Sequence, residues 1–68
     1  MDWNDVKKVI PKEIKVKGHG LCNLLVVYPC MEIPRVEQVV LINGRFITYE
    51  NEDITDIVTH WMYLPELP

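Results

Sequence analysis

Two histidines and two cysteines, His19, Cys22, Cys30 and His60, are the side chains of this chain best suited to hold a metal or to attack a substrate. His19 and Cys22 have the spacing of a zinc half-site, since ligands two residues apart on a turn can face one ion. The other half is missing. Cys30 and His60 stand alone rather than as a second paired knuckle, so the cysteines read as small core or strand-end hydrophobes and no metal or cofactor is assigned. Nucleophilic catalysis by either cysteine would need a strand–turn–helix elbow and a group to orient a base, and neither surrounds Cys22 or Cys30. No catalytic residue is assigned.

The acidic residues Glu50, Glu52, Asp53 and Asp56 lie close enough together to evoke a calcium loop. They lack the alternating Asp pattern, the central glycine and the closing glutamate, which leaves a solvated acidic loop as the reading. Gly18-His19-Gly20 could cradle a phosphate only if a helix followed to supply amides and dipole, and none is predicted there. His60-Trp61 is different. Neighbours on a strand point to opposite faces, so one ring enters the core and the other looks outward. Either Trp61 is the core anchor with His60 outside, or the reverse. In the first case His60, Met62, Tyr63 and Tyr49 form an exposed aromatic patch, the composition of a binding hot spot.

The elements that must position these residues are few. The chain has 68 residues, 49% hydrophobic and 25% charged, which is room for one domain (1–68) and a composition well away from disorder. Residues 64–68 read as an extended, proline-containing tail, because Pro65 and Pro68 forbid regular continuation. Trp3, Val6, Val9 and Ile10 recur at helical spacing, Asp5 can cap and Pro11 stops them, which predicts a helix of two to three turns. Ile14 to Lys17 alternates like an edge strand. Leu24 to Tyr28 is continuously apolar and predicts a central strand covered on both faces. Val36 to Ile42 and Arg45 to Tyr49 flank Asn43-Gly44, a type I′ hairpin signal, and Ile57 to Met62 is the last strand. The expected fold is therefore α+β, one short N-terminal helix packed on a mostly antiparallel sheet of about four strands.

Charge is uneven: +2 up to Gly20 and −5 beyond it, −3 in all. An acidic chain without a concentrated basic face argues against nucleic acid as a partner. The longest apolar run is too short to cross a bilayer, and the acidic start lacks the basic and apolar stretches of a signal peptide, so a cytoplasmic protein with reduced thiols and no membrane partner is expected.

Trp3-Asn4-Asp5-Val6-Lys7-Lys8-Val9-Ile10-Pro11 resembles the opening of the phage and prophage family catalogued as domain of unknown function 551. Leu25-Val26-Val27-Tyr28 is similar to that family's first strand and Asn43-Gly44-Arg45-Phe46 to its middle hairpin. Val58-Thr59-His60-Trp61-Met62 with Leu64-Pro65-Glu66 matches its closing motif. Tyr63 and Leu67 replace prolines usual in the family, and the stretch from Lys12 to Asn23 is longer than usual. The resemblance implies a small cytosolic protein encoded by a phage or prophage, in the host cytoplasm, with no assigned activity; it carries no catalytic residues across.

Size sets the order of the functional hypotheses, because a thin core seldom spares the roughly 300 Å³ that a small-molecule pocket needs. The first is a non-catalytic protein-interaction module whose partner is a host or phage protein or a second copy of the chain. The alternative is an oligomer that captures a nucleotide-like anion between protomers with His60, Trp61, Tyr63, Lys15 and Lys17. An enzyme ranks last.

Overall fold

The computed structural model describes residues 2–14 and 21–64. Five strands, β1 (Asn4–Asp5), β2 (Asn23–Cys30), β3 (Ile33–Ile42), β4 (Arg45–Thr48) and β5 (His60–Tyr63), form one antiparallel sheet in the order β1-β5-β2-β3-β4. The predicted edge strand through Lys17, the Gly18-His19-Gly20 turn and the tail from Pro65 onward lie outside the described residues.

The N-terminal helix is not there, and the α+β expectation is overturned: the described chain contains no helix. Asn4 and Asp5 instead pair with Trp61 and His60. The capping function of Asp5 survives, its carboxylate accepting the Lys7 amide at 2.8 Å, but it caps a single turn closed by Lys8 and Val9 N–H donating to the Asp5 carbonyl. Pro11 leaves this segment well short of the ~12–15 residues at which helix propagation repays nucleation. Tertiary partners take what a helix would have used: Trp61 Nε1 donates to the Val9 carbonyl at 2.8 Å, and Val6 N–H donates to Thr59 O at 3.0 Å. Ile10, assigned to the helix's buried stripe, is 79% exposed, whereas Pro11 is buried.

The core lies on one face of the sheet. Leu24 and Val26 of β2, Val39 and Leu41 of β3, Phe46 of β4 and Trp61 of β5 alternate inward, and Ile54 and Val58 from the connection between β4 and β5 close over them. The β3–β4 hairpin turns at Asn43 and Gly44 with φ of 51° and 78°, the left-handed pair that a type I′ turn demands. A second two-residue hairpin, at Met31-Glu32, joins β2 to β3 with only its first residue left-handed (Met31, φ 57°); residues 33–35, ahead of the predicted start at Val36, thus belong to β3.

Beyond the reach of β5 and β4, this second hairpin projects as a two-stranded arm from Tyr28 to Arg35. Cys30 and Ile33 flank its turn as a hydrogen-bonded pair, so the next pair, Pro29 opposite Pro34, falls where backbone nitrogens point outward. Each proline therefore removes a donor from a free edge, at the one kind of position where a strand tolerates it.

Candidate functional site

Among the described residues the other face of the sheet is covered at its β4 end, where Asn23 and Val40 are buried, and is more open elsewhere. Directly opposed residues share a face, so the register places His60, Val27 and Val36 in one row across β5, β2 and β3, and Met62, Leu25 and Gln38 in the next. Pro29 and Pro34 extend the face onto the arm. Leu25, Val27, His60 and Met62 are half-buried, and Val36 is 55% exposed. Of the β4–β5 connection, Tyr49 reaches over this side, bonded to Asn23. The continuous apolar run of β2 predicts cover on both faces; the described structure supplies it on one.

Among the described residues, charge is confined to the margins of this open face. Asp5 sits opposite His60 on β1, where a groove of about 350 Å³ is lined by Asp5, Lys7, Asp56 and His60 among others. At the far margin Arg45 Nε donates to Asp53 at 2.8 Å. That bond, with Thr55 N–H and Oγ1–H donating to the same carboxyl, holds Asp53 down at about 2. The described strand residues between the margins are apolar except for Asn23, Gln38 and His60, whose Nδ1 lies 3.0 Å from Thr59 Oγ1. An apolar centre with a charged margin is the anatomy of a protein contact. The arm is two-sided: its opposite surface carries the Tyr28 hydroxyl donating to Glu37 at 2.8 Å beside Arg35. The Glu37 bond holds the Tyr28 hydroxyl above the usual tyrosine pKa, and burial adds to the shift while Arg35 opposes it.

Of the four residues expected to form the aromatic patch, His60 and Met62 lie on the open face. Tyr49 leans over its β4 end, where its hydroxyl donates to the buried Asn23 side chain and accepts from Gln38 Nε2 at 3.3 Å. Tyr63 lies on the core side. Its ring meets Trp61 edge-on at 4.9 Å and 80°, and its hydroxyl both accepts from Lys12 N–H and donates to Lys12 O at 2.9 Å, clamping the N-terminal segment. Sequence reasoning missed Leu25, Val27 and Val36, which carry the centre of the face. The signal was present in the β2 run, whose alternate residues had to face somewhere.

The remaining candidates are scattered. Cys22 is buried in the core and Cys30 sits on the arm, roughly 25 Å apart at ~3.3 Å per strand residue; His60 belongs to the open face, and His19 lies outside the described residues. Among the described residues no three metal-ligating side chains cluster. The anion pocket proposed from His60, Trp61 and Tyr63 is split by the sheet, since His60 faces away from the other two; its Lys15 and Lys17 lie outside the described residues. The acidic loop is an ordered edge cover. Thr48 N–H donates to Glu52 O, Ile54 N–H to Phe46 O, and Phe46 N–H to Thr55 Oγ1, all within 2.9 Å.

No protein-family model, curated protein or solved structure matches the chain. No helix among the described residues is long and apolar enough to cross a membrane.

Proposed function

We propose that this chain is a non-catalytic protein-interaction module that binds through the open face of its sheet, and that it serves as an accessory protein of a phage or prophage, as the resemblance of its closing motif implies. The observation that carries the binding reading is the uncharged, apolar band of Leu25, Val27, Pro29, Pro34, Val36 and Met62, which no described segment covers. Exposed bands of this kind on small proteins mark contact sites, because leaving them in water forfeits roughly 25 cal/mol per Å².

Capture from host lysate by immobilised wild-type protein, compared with a Val27→Lys bait, tests this. A lysine in the middle of the band should abolish specific capture, self-capture included, while the melting temperature stays within a few degrees. Undiminished capture by the folded variant would reject the open face as the binding surface.

A further inference from the structure

Resting on the reading of the open face as a contact surface, we infer that its occupant is a second copy of this chain, packed sheet against sheet about a two-fold axis.

The edges of the sheet steer association away from strand addition. The outer edge of β4 is bonded to the loop of residues 52–55, β1 is two residues long, and Pro29 and Pro34 interrupt the edges of the arm. What remains available is the face.

Its chemistry suits a copy of itself. In a two-fold contact a patch meets the same patch, so a charge near the centre would be brought close to its own like. A chain of net charge −3 carries none there: Asp5 is at one margin, and Arg45 and Asp53 at the other neutralise each other. A partner selected by charge would require acidic or basic groups across the band. One selected by hydrogen bonds would require a polar row, and Gln38 and His60 are the only polar side chains among the eight residues of the two central rows and the proline pair.

The area fits a modest dimer. Strands ~4.8 Å apart and rows ~3.3 Å apart make the face roughly 20 Å square, which buries on the order of 800–1,000 Å² over two protomers. That lies below the roughly 1,200 Å² of standard specific interfaces, in the range of weak, transient contacts, so the dimer is expected to dissociate on dilution.

Sedimentation velocity on the full chain at about 300 μM and about 1 μM, concentrations far enough apart to shift a weak association equilibrium, reads the assembly directly. The chain weighs 8.0 kDa. Wild type should shift from twice that mass at the high concentration toward the single mass at the low one. Val36→Lys, at an exposed position on the band, should hold the single mass throughout, with Val27→Lys as a second variant. Ile33→Lys, 75% exposed but on the other surface of the arm, should dimerise like wild type. Wild type of single mass at both concentrations overturns the inference, as does a dimer that survives Val36→Lys or one that Ile33→Lys abolishes equally. Melting of the Val27→Lys protein separates the two levels. If wild type is monomeric and this variant melts like it, the face is open to a different protein and the interaction reading stands. If the variant melts far lower, the chain covers its own face, and both readings fall.

Discussion

Replacing Trp61 with phenylalanine should weaken the whole domain by a predictable amount. Trp61 is 3% exposed, stacks edge-on against Tyr63 and donates its indole N–H to the Val9 carbonyl at 2.8 Å. Phenylalanine keeps a ring in the site but removes roughly 40–50 Å² of buried surface, about 1 kcal/mol at 25 cal/mol per Å². The lost hydrogen bond adds about 0.5–1 kcal/mol, the lower part of the usual range, because Val9 is 46% exposed and water can replace the donor. With the weakened aromatic pair the loss comes to about 2–3 kcal/mol. A chain of this length holds roughly 3–10 kcal/mol in total. In urea, with a slope near 1 kcal/mol per molar for so small a protein, the midpoint should fall by about 2–3 M. Trp3 remains as the only tryptophan of the variant and reports the transition by fluorescence, with circular dichroism as the second probe. A midpoint lowered by less than about 0.5 M, with unchanged slope, would refute the assignment of Trp61 as the anchor between sheet and N-terminal segment. Trp61→Ala should cost about 3–5 kcal/mol and leave little folded protein.

Gly44→Val should cost about 1–3 kcal/mol in the same assay. No atom lies within 4 Å of the added Cβ, so the loss is that of forcing a β-branched residue to φ 78°. Thr55→Val strips the Phe46 amide of its acceptor and Asp53 of the Thr55 hydroxyl donor, leaving the Thr55 backbone N–H in place; a loss of about 1–3 kcal/mol is expected, with faster hydrogen exchange at Phe46. Asp53 sets an acid limb. Its folded pKa of about 2 lies below the ordinary 3.8, so the unfolded chain binds more protons between those values, and the stability it contributes, full above about pH 4, is lost as pH falls to about 2. Asp53→Asn should flatten that part of the profile of urea midpoint against pH; an unaltered limb would mean that Arg45 does not pair with it in solution.

What was legible in the sequence was what depends on near neighbours. The Asn43-Gly44 hairpin follows from two residues that accept left-handed backbone, and β2 follows from an apolar run of strand length. The Asp5 cap was also read correctly, yet it closes one turn rather than a helix, because the donors and acceptors that settle the matter come from Trp61 and Thr59, more than fifty residues away. The Met31-Glu32 turn escaped because neither residue is a turn former by type. Its geometry is imposed by two long strands in register on either side. Of the four residues expected on the binding surface, His60 and Met62 lie on the open face, and Tyr63 was assigned to it by adjacency alone. Residues 61 and 63 share a face by strand period, so once Trp61 is placed in the core Tyr63 follows it there.

By itself the sequence determined the apolar strand β2, the tight turn at Asn43-Gly44 and the unevenness of charge, since all of these are set by residue type and short spacing. The tertiary structure decided which face of the sheet is core, that the N-terminal segment is strand and strap rather than helix, that the acidic loop seals an edge, and that Leu25, Val27 and Val36 of β2 and β3 emerge together on the face opposite Trp61, which the described residues cover only at its β4 end. The physical reason is that side-chain period fixes alternation but not direction. Which of two alternate sets is buried depends on what crosses the sheet, and here Ile54, Val58 and the N-terminal segment cross on the side of Trp61, leaving Val27, Val36 and Met62 to the other.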